Sequence, residues 1–258
     1  MAVNPPFLLF DGAGPILATA LHAGHELRPE IASLMALDEA TRLREEDPHT
    51  DRLTEVVPLR VVAHRSRFEV DLNRARDAAF YLHPEAAWGL RIWRTDPLPE
   101  TLASSLEIYD SFYESMSHVL DRLALAGRFA VLDIHSYNHR REGPDEPPAP
   151  AATNPDINIG TGSLDRSSWE NLIDRFAADL AAALPPMTRV DENVRFKGGY
   201  FSQWIHEHYP ERGCALALEF KKTFMNEWDG TLDEERVGRL KGALAATIPG
   251  VVAELRRP

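Results

Sequence analysis

Three short apolar runs in this sequence end abruptly in groups that can do chemistry. Phe129-Ala-Val-Leu-Asp-Ile runs into His135 and Ser136, Pro15-Ile-Leu-Ala-Thr-Ala-Leu runs into His22, and Cys214-Ala-Leu-Ala-Leu runs into Glu219. Continuous apolar runs of this length suit strands buried on both faces, and open α/β sheets bind ligands beyond the carboxyl ends of such strands. If the three runs are neighbouring parallel strands, His22, His135 and Glu219 meet at one sheet edge. Two imidazoles and a carboxylate in one place suggest a metal hydrolase. Imidazoles ligate the ion, and the carboxylate moves the proton of an activated water.

The remaining segments must position these groups. Leu27 to Leu37 has helical apolar spacing that begins near Pro29, where proline is tolerated in a first turn. Asp38 to Asp51 is densely charged and reads as a solvated helix face ending before Pro48. Val56 to Ala63 predicts a strand, and the alternation in Ser66 to Arg74 predicts an extended segment at the edge of a site. From Glu100 to Leu125 the apolar positions fit a helix of several turns covering one sheet face. The proline-rich stretch from His139 to Pro155 is too long for a simple turn and, following His135, is a candidate lid.

Asp156 to Thr161 predicts a short strand, and Ser167 to Leu184 a helix opened by a Ser-Ser cap and closed by Pro185-Pro186. The pair Gly198-Gly199 suits close approach of backbone to a ligand, and Leu232 to Leu255 predicts a closing helix broken near Pro249. Met1 to Gly14 reads as an irregular lead-in. Alternating strands and helices, with no repeat or dividing linker, predict one domain over residues 1–258: a three-layer α/β/α sandwich around a mixed, mostly parallel sheet.

With 258 residues and 44% hydrophobic content the chain can bury a large core. A net charge of −12, with no basic stripe to offset it, argues against a nucleic-acid partner. No apolar stretch approaches the roughly 18 residues of a membrane span, and no signal-like segment opens the chain, so a cytoplasmic, membrane-free protein is expected. Cys214 is the only cysteine, which excludes an internal disulfide and a multi-cysteine zinc site; lying in an apolar run, it reads as an inert core thiol.

Six segments in order carry a family resemblance: His22-Ala-Gly, Asp47-Pro-His-Thr-Asp-Arg-Leu53, Ser66-Arg-Phe-Glu-Val-Asp-Leu-Asn-Arg74, Leu132-Asp-Ile-His-Ser136, Phe196-Lys-Gly-Gly-Tyr200 and Leu218-Glu-Phe-Lys-Lys-Thr-Phe-Met-Asn-Glu227. Together they resemble the N-formylglutamate amidohydrolase family, a relative of the zinc carboxypeptidases and aspartoacylases. The resemblance departs from the usual pattern twice. This chain has His22-Ala-Gly24 for His-Ser-Gly, and Leu218-Glu-Phe-Lys-Lys222 for Ile-Glu-Ile-Asn-Arg.

The resemblance implies one Zn²⁺ ion and hydrolysis of a small-molecule N-acyl amino acid such as N-formylglutamate. His22 and His135 supply two ligands; for the third, Asp47 is favoured over Glu46, His25 and Glu26, because it fills the family's acidic position. Glu219 is then the general base. A salt bridge is its alternative role, and strand alternation leaves Lys221 rather than Lys222 on its face. By similarity to aspartoacylases, Asn73 and Arg74 grip a substrate carboxylate and Arg67 stabilises the oxyanion; a guanidinium forks onto carboxylates and keeps its charge. Two other readings stand beside this one: a deacylase for another N-acyl amino acid or peptide-like amide, and a metal-binding homologue without turnover.

Overall fold

In the computed structural model, which describes residues 4–257, seven strands form one mixed sheet in the order β1-β3-β2-β4-β7-β5-β6. The centre is the set anticipated from the apolar runs: β2 (Ile16–Ala20), β4 (Phe129–Tyr137) and β7 (Gly213–Lys221), adjacent and parallel. β1 (Phe7–Phe10) and β3 (Arg60–Ala63) extend one side, β5 (Ile157–Gly160) and β6 (Val190–Glu192) the other. The antiparallel pairs β1/β3 and β5/β7 make the sheet mixed.

Alternation along the central strands sorts side chains into two cores, which makes the three layers. Ala130, Leu132, Ile134, Leu216 and Leu218 face α5 (Glu170–Ala182) and α7 (Glu234–Leu255), with Phe176, Leu244 and Val251 in the same cluster. Leu17, Phe129, Val131 and Ala215 face α4 (Pro99–Ala126) and α6 (Tyr200–His208), with Phe112, Met116, Phe201 and Ile205. Because position parity is kept along a strand, His135 and Glu219 project on the α4/α6 side. Burying each of these large apolar side chains contributes on the order of 2 kcal/mol before entropy is counted. Among the described residues, no helix is long and apolar enough to cross a membrane.

Several sequence expectations change. Of the lead-in, residues 1–3 lie outside the described residues, while Phe7–Phe10 is an edge strand, since its four residues pair with β3. Asp38 to Asp51 forms α2 (Glu39–Glu45), capped by Asp38, and the start of α3 (Asp51–Thr54); α1 spans Pro29–Leu34. Ser66 to Arg74 is a string of turns rather than an extended strand. The Ser167 and Ser168 hydroxyls bond Asp165 instead of capping α5. α7 runs unbroken through Pro249, because Leu244, Val251 and Leu255 hold both sides of the proline in one core.

α6, unassigned by periodicity, packs Phe201 and Ile205 into the second core and carries the buried His206. The His206 Nε2 accepts from Ala215 N–H (3.0 Å), and its Nδ1 lies 2.8 Å from Ser163 Oγ, so the imidazole is neutral and serves a strand N–H. Burial pushes its pKa down to about 4. The unfolded chain therefore takes up a proton before the folded one does, and the stability due to neutral His206 is complete above its ordinary pKa and is lost as pH falls from about 6.5 to about 4. The loss amounts to about 3 kcal/mol. We expect the melting temperature of His206→Gln to fall less than that of the parent between pH 7 and pH 4.5. Parallel melting curves across this range would show that His206 is not the acid-sensitive group.

Candidate active site

His135 and Glu219 occupy equivalent places on neighbouring strands and are register partners, so their side chains stand side by side. His22 follows β2 directly on the other side of β4. Asp47 reaches the same point from the turn after α2, with its N–H donating to His22 O (2.9 Å). His22, Asp47 and His135, all buried, each offer an atom within 4.8 Å of the others. Asp47 Oδ2 lies 3.4 Å from His22 Nδ1 and 3.1 Å from His135 Nδ1.

The far nitrogens also lie near carboxylates. His22 Nε2 lies 2.7 Å from Asp71 Oδ1, and His135 Nε2 lies 3.1 Å from Asp133 Oδ2, whose other oxygen accepts from Thr19 Oγ1 at 2.7 Å. His22 turns its Nε2 to a carboxylate and leaves its buried Nδ1, among the described residues, without a hydrogen-bond partner, whereas His135 donates from Nδ1 to Asp47 and takes the Asn73 amide at Nε2. Two buried imidazoles, a carboxylate oxygen within reach of both and an unpartnered nitrogen fit a divalent cation, which would take the place of the His135 Nδ1 proton. Burial alone would raise the Asp47 carboxyl, but His135 and His22 hold it well below the carboxylate range.

The other third-ligand candidates point elsewhere. Glu46 accepts from Ser66 Oγ and Arg42 (3.2 Å) and contacts His25 Nδ1 at 2.5 Å; Glu26 pairs with Arg65 at 3.3 Å. Both glutamates are structural anchors. Glu219 is different. Among the described residues its carboxylate makes no salt bridge, since Lys221 pairs with Asp156 (3.0 Å) and Lys222 donates to Arg44 O, Glu46 O and Asn138 Oδ1. Burial, with Asp47 and Asp133 nearby, pushes its pKa up to about 8. Cys214 is fully buried in the first core, with its thiol pushed up by burial.

These groups line a cavity of about 420 Å³. Asp71 organises one wall: it accepts from Arg67 Nη2 (2.9 Å), Tyr81 OH and Asn73 N–H (2.8 Å), and Arg74 Nε lies 3.6 Å away. The turns of residues 66–74 allow this, because they gather Arg67, Asp71 and Arg74 on one side, where strand alternation would have split Arg67 from Arg74. The Asn73 side chain also accepts from Phe201 N–H (2.9 Å) and lies 3.2 Å from His135 Nε2, so it fastens α6 to the site as well as lining it. Gly199 lines the cavity and makes room for this contact: a Cβ there would stand 2.3 Å from Asn73.

The opposite wall was not foreseen. Asn158, register partner of Glu219 on β5, bonds Arg195 N–H (2.8 Å) and Phe196 O (2.8 Å) and holds the segment that brings Arg195 and Lys197 to the cavity. The polar end of an apolar strand was the available signal. The proline-rich loop lends only Arg141 to this cavity. Its other residues border a second space of about 860 Å³, and Glu227 pins its start through His139 N–H (2.8 Å) and Arg140 N–H (2.9 Å).

The N-formylglutamate amidohydrolase family model matches residues 14–225, and the chain belongs to that family. Among solved structures, the N-formylglutamate amidohydrolase of Ralstonia eutropha JMP134 is similar at 19% identity, with a TM-score of 0.78 over 98% of this chain and 99% of that one. A gene product of Agrobacterium tumefaciens follows at 18% identity and a TM-score of 0.63, over 94% and 90%. No curated protein matches the sequence. Membership places the chain among amidohydrolases that act on small molecules.

Asp71 faces His22, Arg67, Tyr81 and the Asn73 backbone at once, so its charge has no substitute in the wall. Asp71→Asn keeps the shape and strands the cations, and should lower the stability of the metal-free protein by about 3 kcal/mol in urea unfolding. A loss below about 0.5 kcal/mol would mean that the network is not a structural element.

Proposed function

We propose that this chain, one hydrolase domain, is a zinc-dependent amidohydrolase cleaving the amide of a small N-acyl amino acid, N-formylglutamate foremost. One observation carries the reading: buried His22, Asp47 and His135 converge within 4.8 Å of one another beside a Glu219 carboxylate that, among the described residues, makes no salt bridge. His22, Asp47 and His135 would hold the ion. Bound there, Zn²⁺ supplies Lewis-acid polarisation of carbonyl and water and a positive charge that draws the Glu219 pKa down.

The chain's own residues do the rest. Glu219 takes a proton from the attacking water as its oxygen bonds the acyl carbon, and delivers that proton to the leaving amine nitrogen as the C–N bond breaks. Arg67, committed through Nε to Tyr81 OH (2.8 Å) and through Nη2 to Asp71, turns its remaining N–H groups to the developing oxyanion. Arg74, anchored to Ala86 O (2.8 Å) and lying 4.3 Å over the Tyr81 ring, retains donors for a substrate carboxylate, with Asn73 beside it. A metal-binding homologue without turnover would need no half-buried carboxylate at this point, and a salt bridge would have explained one.

Glu219→Gln removes the base and keeps the shape. Turnover of N-formylglutamate should fall by roughly 10² to 10⁴ while zinc content and melting temperature hold. Normal turnover with a lowered melting temperature would end this mechanism.

Arg74→Lys tests recognition, since an ammonium cannot make the two parallel bonds of the fork. Its kcat/KM should drop by about tenfold or more for N-formylglutamate, and little for a formylated amine lacking the carboxylates. Equal losses on both would make Arg74 structural.

A further inference from the structure

One buried charge takes no part in this chemistry. Lys222, directly after β7, is 1% exposed, and its three ammonium hydrogens meet three acceptors: Arg44 O (2.6 Å), Glu46 O (2.6 Å) and Asn138 Oδ1 (2.9 Å). Its own N–H donates to Tyr137 O (3.0 Å), tying it to β4. Arg44 O belongs to the last turn of α2 and Glu46 O follows that turn, where a cation complements the unpaired carbonyls and the negative end of the helix. This much satisfies a helix end.

The Glu46 carbonyl does more, because it shares a peptide plane with the Asp47 N–H, and that N–H donates to His22 O at 2.9 Å. A peptide unit is planar and stiff, so fixing its oxygen and its hydrogen fixes the plane. The oxygen is held from the end of β7 and the hydrogen from the end of β2, the two strands that flank β4. The plane thus spans the central strand, and the Asp47 Cα, which it carries, is set opposite His135. Asp47 is further held by Thr50 Oγ1 on its carbonyl (2.6 Å) and by Ser136 Oγ on Oδ1 (3.3 Å), but only Lys222 secures the carbonyl end of the Glu46–Asp47 peptide with a charge.

We propose that Lys222 is a positioning residue that acts through the Glu46–Asp47 peptide to hold the Asp47 carboxylate at the His22–His135 pair, and that it thereby sets the metal affinity of this chain. The inference rests on the three-ligand reading above. It assigns a task to the second of the two lysines that replace Asn-Arg of the usual family pattern.

The test uses the full chain, with Zn²⁺ affinity from competition with a chromophoric chelator and the melting temperature of the metal-free protein. Lys222→Met keeps an unbranched chain without donors and should weaken Zn²⁺ binding about 10- to 100-fold, as loss of an orienting partner does. Lys222→Arg, which retains charge and donors, should recover part of that affinity. A lower melting temperature with unchanged affinity in Lys222→Met would make the lysine merely structural and overturn the proposal. Should the Met variant not fold, Lys222→Gln, which keeps two N–H donors, bears the same comparison: weaker binding supports the proposal and parental affinity overturns it. A parent chain that binds no Zn²⁺ would instead overturn the ligand set itself.

Discussion

The site depends on one electrostatic constraint, the burial of several carboxylates around two imidazoles. Asp47, Asp71 and Asp133 are each 2% exposed or less, and Glu219 shares their cavity or their strand ends. Carboxylates so close in a poorly solvated place cannot all remain ionised unless cations face them. The chain places Arg67 and Arg74 on Asp71 and Lys222 behind the Asp47 turn, and leaves the space between Asp47, His22 and His135 with no cation of its own. Where compensation is complete, as at Asp71, the carboxyl is held well below its ordinary range; at Glu219, which lacks a partner, burial wins and the carboxyl rises. The contrast separates the paired acids from the unpaired one.

That arrangement follows from the sheet. Three parallel strands ending at the same level bring His22, His135 and Glu219 together, although each belongs to a different part of the chain. A strand core buried on both faces is rigid enough to keep such groups in place. The loops then build the cavity outward: turns 66–74 form a cationic wall around Asp71, and the segment held by Asn158 forms another. Glycines 198 and 199 make this second wall possible, Gly199 by its close packing on Asn73 and Gly198 by a φ of +110°.

Two walls bearing guanidinium groups on either side of the Glu219 carboxylate suit an anionic ligand. The half-exposed Trp88 ring, 5.1 Å from the Arg67 guanidinium, adds an apolar edge at the mouth. The two departures from the family pattern therefore differ in weight. Ala23 follows His22 in a position that supplies no polar atom to the cavity, while Lys222 holds the peptide carbonyl that precedes Asp47.

The sequence by itself determined the three central strands, the long helices and the identity of His22, His135 and Glu219, because an apolar run ending in a polar group is a local signal with a local cause. It also favoured Asp47, through an ordered motif. Only the tertiary structure separates Asp47 from Glu46 and His25, because their partners across space differ: Ser66 and Arg42 for Glu46, Glu46 and Arg42 for His25, and the two histidines for Asp47. β1 and α6 escaped periodicity for the same reason: four residues pair with β3, and nine pack on the sheet, by contacts distant in sequence. The cationic cluster of residues 66–74 looked extended because alternation was read without its turns, and a turn is fixed by the hydrogen bonds of Asp71 rather than by a pattern of polarity. Local polarity thus names the groups that can react, and long-range packing decides which of them face one another.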